Sequence, residues 1–330
     1  MWYTLFIILN QRGIRMKRQL KLLLSGATAM AAVGAVASEG LLYLLSNKSA
    51  ELGDIVPINE ADESELDREI AKKRSDARKW VSLQELSHYH ITSDDGLRLH
   101  AALLPAKHPS NRYALCIHGF HCSGIREFDT IARFYYENDI NCFMIDQRAH
   151  GDSEGTYITY GVKESDDCIK WLKFMRKEFG EDIEIILHGV SMGAATVMMM
   201  CGKMLPNNVV FAVSDCGYST LKDQLYHNFA QRHIPASAAY LMYKGAAKLQ
   251  ADFDPDDCNP IEGAEKSNIP MIFAHGEADD FVPFDMVYAN YDACPSPVKR
   301  LVKVPEAKHA QAFQIGDSLK EAILDMIGNL

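Results

Sequence analysis

The sequence predicts an α/β fold in which a mostly parallel sheet carries helices on both faces. Two observations predict it: short apolar runs recur along residues 86–330, and amphipathic runs of helical length alternate with them. The chain has 330 residues, of which 48% are hydrophobic and 24% are charged. This balance is typical of a globular protein and excludes disordered, collagen-like and disulfide-stapled classes.

The elements begin with a hairpin. Tyr89–Thr92 and Leu97–Leu104 are strand-like runs separated by a Ser-Asp-Asp-Gly turn, which predicts antiparallel strands at one edge of the sheet. Six further apolar runs predict strands: Tyr113–Ile117, Cys142–Ile145, Ile183–Leu187, Val209–Val213, Met271–Ala274 and Leu301–Val304. Amphipathic runs predict helices at Ile125–Tyr136, Lys163–Phe179, Gly193–Cys201 and Ser318–Ile327.

One interval interrupts the alternation. Between Asp215 and Ile269 the sequence contains two helical runs, Leu221–Gln231 and Ala236–Gln250, and a polar connection, but no strand-like run. Open α/β sheets bind ligands at the carboxyl ends of their strands. The interval therefore predicts a helical lid at about residues 218–268, and a plain pair of crossover helices is the alternative.

Residues 22–45 are predicted to form a transmembrane anchor. The run contains a single charge, Glu39, and its 24 residues extend about 36 Å as a helix. Residues 1–21 form a basic head with five Lys or Arg and no acid. The positive-inside rule therefore predicts a single pass with a cytoplasmic N-terminus and an extracytoplasmic body. Met16 is a second candidate start, with residues 1–15 then untranslated.

Two alternatives to the anchor remain. Ala35-Val36-Ala37 is an A-x-A site, so cleavage near Ala37 would release a secreted body, although the apolar run resumes at Leu41–Leu45. The second alternative is a buried helix of a soluble protein. Residues 46–85 are predicted to form a charged stalk, part helical, that either packs on the body or is solvated on all sides.

The net charge argues against a nucleic-acid partner, and the cysteine positions argue against disulfides and metal ligands. The net charge is −10, whereas nucleic-acid binding needs clustered Lys and Arg, so no nucleic-acid partner is expected. The eight cysteines form no C-x-x-C pair. Cys116 and Cys142 lie in strand-like runs, where free cysteine behaves as a small hydrophobe, so buried thiols are expected rather than disulfides or metal ligands.

The motif Gly189-Val190-Ser191-Met192-Gly193 lies between a strand-like and a helix-like run. The glycines of a G-x-S-x-G turn let the chains approach while the serine is exposed at the edge of the sheet. Ser191 is therefore the candidate nucleophile. The N–H of Met192 is a candidate donor to an oxyanion.

Three other motifs lie at strand ends. His118-Gly119-Phe120 follows an early strand, and the Phe120 N–H is the second candidate oxyanion donor. A metal site at His118, His121 and Cys122 is its weaker alternative. His309 follows the last strand and is the candidate base. Asp279, in His-Gly-Glu-Ala-Asp, is the preferred acid, with Asp215 and Asp280 as alternatives.

In these motifs the chain resembles the α/β-hydrolase superfamily from about residue 86 to the C-terminus. The segment Asp146–Gly155 looks like that family's D-x-R-x-H-G-x-S-x-G loop. The whole resembles a bacterial, membrane-anchored esterase-like branch, and it is similar to prolyl-oligopeptidase-like and cinnamoyl-esterase-like hydrolases. The resemblance implies Ser191 as nucleophile, His309 as base, Asp279 as its orienting acid, and no cofactor or metal.

The expected activity is hydrolysis of carboxylic esters through an acyl-enzyme, with a small-molecule ester or acyl compound as substrate. A peptidase or thioesterase that uses the same triad is the alternative within enzymes. The alternative that is not an enzyme is an inactive scaffold protein with the hydrolase fold. The oligomeric state is not indicated by the sequence.

Overall fold

The computed structural model of the protein describes residues 34–50 and 64–329. Residues 34–46 form a helix, called here the N-terminal helix. No helix among the described residues is both long and apolar enough to cross a bilayer. The basic head and residues 22–33 of the predicted anchor lie outside the described residues.

The predicted sheet is confirmed as eight strands. They are β1 (Ser87–Thr92), β2 (Arg98–Leu104), β3 (Arg112–Ile117), β4 (Asn141–Asp146), β5 (Glu184–Val190), β6 (Val209–Asp215), β7 (Met271–Gly276) and β8 (Lys299–Val304). Their order is β1-β2-β4-β3-β5-β6-β7-β8. The β1–β2 and β2–β4 pairs are antiparallel and all other pairs are parallel.

Helices cover both faces of the sheet. They are α1 (Glu65–Val81), α2 (Gly124–Glu127), α3 (Asp129–Glu137), α4 (Glu164–Phe179), α5 (Met192–Cys201), α6 (Leu221–Gln231), α7 (Ala236–Ala246), α8 (Pro260–Glu265), α9 (Asp285–Ala293) and α10 (Ser318–Gly328). The run predicted as one helix from Ile125 to Tyr136 is two, because the chain leaves helical geometry at Phe128. Helices α8 and α9 were not predicted.

The strands alternate between two buried faces. In β3, Ala114 and Cys116 contribute to the core under α1, α3 and α10, whereas Leu115 and Ile117 contribute to the core under α4, α5 and α9. Because successive side chains of a strand point to opposite faces, a strand buried on both faces is apolar throughout. This is why the central strands lack polar alternation.

A third apolar cluster lies over the carboxyl edge of the sheet. It joins the N-terminal helix to α6, α7 and a single π-helical turn, Ala247–Ala251. The described residues between β6 and β7 contain helices and no strand, and Leu225 of α6 lines a cavity beside Ser191. This segment therefore covers the candidate site.

The predicted stalk contains α1, which packs on the body. A capping box formed by Ser64 and Asp67 starts the helix, and Ile70, Ala77 and Val81 are buried. Arg74 of α1 lies 3.4 Å from the carboxylate of Asp129 on α3. The alternative of a helix solvated on all sides does not describe α1.

Candidate active site

Ser191 occupies a tight turn between β5 and α5. Its φ of 57° and ψ of −117° are sparsely populated for a residue with a side chain. Its N–H donates to the Asp215 carbonyl at 2.8 Å, which ties the turn to β6. A Cβ at Gly193 would lie 1.8 Å from the Ile117 carbonyl oxygen, and one at Gly189 would lie 2.2 Å from the Gly193 oxygen. Close backbone packing therefore requires both glycines.

The structure brings together the three side chains named from the sequence as nucleophile, base and acid. His309 Nε2 lies 2.8 Å from Ser191 Oγ, and His309 Nδ1 lies 2.8 Å from Asp279 Oδ2. The other carboxylate oxygen, Oδ1, accepts the N–H groups of Phe281 and Val282 at 3.0 and 2.9 Å. The Asp279 carboxylate is thus fixed by backbone donors and faces the imidazole.

Burial and charge shift the pKa values of Asp279 and His309 in opposite directions. Burial alone would raise the pKa of Asp279, but the His309 charge and the hydrogen bonds from His275 and His309 hold that pKa well below its usual range. Burial alone would lower the pKa of His309, but the Asp279 charge and hydrogen bond raise it above its ordinary value. Asp279 is therefore ionised, and it stabilises a proton on His309.

The two alternative acids are placed differently. Asp215 is buried, and its Oδ1 has no hydrogen-bond partner among the residues that the structure describes. Burial raises the pKa of Asp215 to about 7. Asp280 is exposed and uses its backbone carbonyl to accept from Gln231 at 2.9 Å. Only Asp279 of these three is hydrogen-bonded to His309.

Both candidate oxyanion donors lie close to Ser191. Phe120 is in the loop after β3, and its N–H donates to no acceptor within residues 34–50 and 64–329. Met192 is the first residue of α5, so its N–H has no acceptor within the helix. A Cβ on Gly119 would lie 3.2 Å from Ser191 Cβ, so the Phe120 loop packs directly on the serine.

His118 fixes that loop. Its Nδ1 donates to the Gly119 carbonyl at 2.7 Å, and its Nε2 accepts the Gln147 N–H at 3.0 Å. Burial lowers the pKa of His118, which keeps the ring neutral and suits one donor and one acceptor nitrogen. Both ring nitrogens of His118 thus form hydrogen bonds with the backbone. Neither nitrogen is available as a ligand for the alternative metal site at His118, His121 and Cys122.

Comparison with known proteins agrees with this fold. The structure resembles the esterase Pf2001 of Pyrococcus furiosus, with a TM-score of 0.62 and 22% identity over 76% of this chain and 93% of that one. It also resembles Est1E of Butyrivibrio proteoclasticus, solved with ferulic acid, with a TM-score of 0.55 and 17% identity over 73% and 99% of the two chains. The family profile Hydrolase_4, described as "Serine aminopeptidase, S33", matches residues 109–231. The structure therefore has the α/β-hydrolase fold, and residues 109–231 resemble the Hydrolase_4 family.

The sequence relatives of the chain are distant, and their names do not state an activity. YfhR of Escherichia coli is 26% identical over 72% of this chain and 78% of its own length. YqkD of Bacillus subtilis is 26% identical over 52% of this chain and 57% of its own length. Bem46 of Schizosaccharomyces pombe is 22% identical over 68% and 70%. The relatives therefore include eukaryotic proteins and do not restrict the hydrolase to a bacterial branch.

An open cavity of about 280 Å³ gives access to Ser191 and His309. Phe120 and Phe281 form its apolar walls, while two carboxylates, Glu127 and Asp280, and one ammonium, Lys308, add charge. A larger groove of about 430 Å³ lies between α1, α3 and α10 and contains none of the triad residues. Of these two cavities, only the smaller one reaches Ser191 and His309.

Two charged residues of this cavity, Glu127 and Lys308, were not found by sequence reasoning. The Glu127 carboxylate lies 3.3 Å from Arg74 of α1, and it accepts the Gly119 N–H at 3.4 Å. The ammonium of Lys308 lies 2.7 Å from Asp67. Both partners come from the predicted stalk, far away in sequence, and no local motif marks the contact.

Among residues 34–50 and 64–329, two groups of side chains have ligand atoms close enough to hold a metal ion. Cys216 lies with Asp279 and His309, and His100 lies with Asp146 and Asp152. In the first group the carboxylate and imidazole already hydrogen-bond to each other. In the second, Asp146 accepts from His100, from the Gly124 N–H and from the Asp152 N–H. Hydrogen bonds within the protein thus account for the Asp279–His309 pair and for the Asp146–His100 pair.

Proposed function

We propose that the protein is a serine hydrolase that cleaves carboxylic esters through Ser191, His309 and Asp279. The observation that carries the proposal is the continuous hydrogen-bonded chain from Ser191 Oγ through both ring nitrogens of His309 to Asp279, with 2.8 Å at each step. A nucleophile joined to a base, which is in turn oriented by a carboxylate, is the arrangement that activates a serine hydroxyl.

The reaction begins when His309 Nε2 takes the Ser191 proton as Oγ attacks the acyl carbon. The N–H groups of Phe120 and Met192 stabilise the oxyanion that forms on the former carbonyl oxygen. His309 then donates its proton to the leaving alcohol, and the Ser191 ester remains. Water attacks that ester with His309 again as base, which releases the acid and restores Ser191.

We infer esters as the preferred substrates because the structural neighbour Pf2001 is named an esterase, and the neighbour Est1E was solved with ferulic acid, a carboxylic acid, bound. A peptidase is the second candidate, since the matching family profile is described as a serine aminopeptidase. Both reactions use the same acyl-enzyme. They differ in whether an alcohol or an amine accepts the proton from His309.

The test combines a class-wide probe with two substrate panels. A fluorophosphonate should label the wild-type chain and leave Ser191→Ala unlabelled. p-Nitrophenyl esters of increasing acyl length and aminoacyl p-nitroanilides are then assayed side by side. Turnover of the esters alone supports the esterase, turnover of the anilides supports the peptidase, and an unlabelled, inert wild type contradicts both.

We also propose that the part of the predicted anchor that precedes Leu41 spans the membrane, with the N-terminus cytoplasmic and the body outside, because Leu42 and Leu45 pack in the body itself. The supports are the basic residues of the head, the apolar run, and a relative named as a membrane protein, YNL320W of Saccharomyces cerevisiae, which is 22% identical over 59% of this chain. The full chain should sediment with membranes, and a chain beginning at Gly34 should not. A mature N-terminus at Ser38 would favour cleavage and secretion instead.

A further inference from the structure

The end of the N-terminal helix is part of the hydrolase body. Leu42 and Leu45 are 2% and 7% exposed and lie in the apolar cluster of the lid. Ser46 Oγ lies 2.8 Å from the Tyr243 hydroxyl on α7, and the Tyr160 hydroxyl donates to the Leu45 carbonyl. Hydrogen bonds at the Leu45 carbonyl and at the adjacent Ser46 side chain thus hold Leu45 against the body.

Leu45 also forms a wall beside the nucleophile. A small cavity of about 30 Å³ is bounded by Ser191, by Leu45, and by Leu225 and Asn228 of α6. A second cavity of about 80 Å³ lies along the N-terminal helix, where Leu41 and Leu44 contribute to its lining. Leu45 and Asn228 line both cavities. These two side chains therefore separate the space beside Ser191 from an apolar space beyond it.

The position of His309 decides which half of an ester enters which cavity. The leaving alcohol must receive its proton from His309 Nε2, so its oxygen lies on the His309 side of the acyl carbon. His309 lines the open cavity of about 280 Å³ and does not line the cavity of about 30 Å³. The leaving group therefore occupies the open cavity, and the acyl chain points toward Leu45.

We propose that Leu45, with Asn228, sets the acyl length of the substrate, so that the wild-type hydrolase prefers acetyl and propionyl esters. This inference rests on the proposed ester hydrolysis. A cavity of about 30 Å³ has room for about two water molecules, which matches the few atoms of a short acyl chain. Removing the partition joins it to the second cavity and admits a longer chain along the N-terminal helix.

The experiment compares full-length variants on p-nitrophenyl acetate and hexanoate. The measured quantity is the hexanoate-to-acetate ratio of kcat/KM. Each buried methylene is worth roughly fourfold in affinity, so Leu45→Ala should raise the ratio at least about tenfold. Asn228→Ala should raise it in the same direction. Asn228 is only half-buried, and its amide partner Gln224 keeps a second acceptor at Phe281, so this variant does not depend on tolerance of a core truncation.

Leu42→Ala is the matched control. Leu42 lies on the same helix and is buried in the same cluster, but it lines neither cavity. It should lower stability without changing the ratio. Fluorophosphonate labelling of each variant confirms that the site is intact. If labelled Leu45→Ala and Asn228→Ala proteins keep the wild-type ratio, or if Leu42→Ala shifts it equally, the inference is overturned while ester hydrolysis stands. A wild type that cleaves no ester overturns both.

Discussion

The two sides of Ser191 are built in different ways. On the His309 side, each group comes from a loop at the carboxyl end of a strand and is fixed by short-range backbone contacts, as Asp279 is by the N–H groups of Phe281 and Val282. On the Leu45 side, the wall comes from the N-terminal helix and α6, which meet only in the folded chain. In the proposed reaction, the His309 side carries the proton transfers, and the Leu45 side limits the length of the acyl chain.

Replacing the nucleophile should have the largest effect. Ser191→Ala removes the atom that forms the acyl-enzyme, and loss of a triad serine costs on the order of 10⁶ in kcat in a protease. The measurement is kcat on p-nitrophenyl acetate, with the thermal midpoint as a control for folding. A folded variant within tenfold of wild type would contradict the role of Ser191.

The next largest effect should come from the acid. Asp279→Asn keeps the shape but favours the wrong tautomer of His309, and the comparable change in a serine protease lowers kcat by about 10⁴. Asp215→Asn is the control, because Asp215 is buried near the triad yet is not hydrogen-bonded to His309. If Asp215→Asn were inactive and Asp279→Asn normal, the acid would be misassigned.

The pH dependence of kcat/KM should report the ionisation of His309 beside Asp279. His309 accepts the Ser191 proton only when neutral, so kcat/KM should rise with pH. Because Asp279 raises the pKa of His309 above its ordinary 6.5, half-maximal activity should fall above pH 6.5. Asp215 also raises this pKa, so Asp215→Asn should move the midpoint down. A wild-type midpoint below pH 6.5 would show that Asp279 does not stabilise the imidazolium.

On the Leu45 side the expected effect is on stability. Truncating a buried leucine to alanine costs about 2–5 kcal/mol, so Leu42→Ala should lower the free energy of unfolding by that amount. Tyr160→Phe removes the hydroxyl that donates to the Leu45 carbonyl and should cost about 1 kcal/mol. Denaturant unfolding measures both. Unchanged stability in Leu42→Ala would show that the N-terminal helix does not support the body.

The same contrast explains what the sequence predicts and what it misses. The central strands were predicted because each contains a continuous apolar run, and the edge strand β1 was predicted because a turn signal separates it from β2. The turn at Ser191 was predicted because both of its glycines lie within the same five-residue motif. Leu45 and Glu127 were missed because their roles depend on contacts between distant segments. Helix α9 was missed because only Val287 and Asn290 are buried, so its apolar pattern is weak.

Trapping the intermediate tests the central claim most directly. Wild-type protein that is turning over p-nitrophenyl acetate is quenched in acid, digested and mapped by mass spectrometry. The account predicts one acetyl group, on the peptide that contains Ser191, and none there in Ser191→Ala. Acetyl found reproducibly on another residue of an active enzyme, with Ser191 unmodified, would contradict an acyl-enzyme at Ser191.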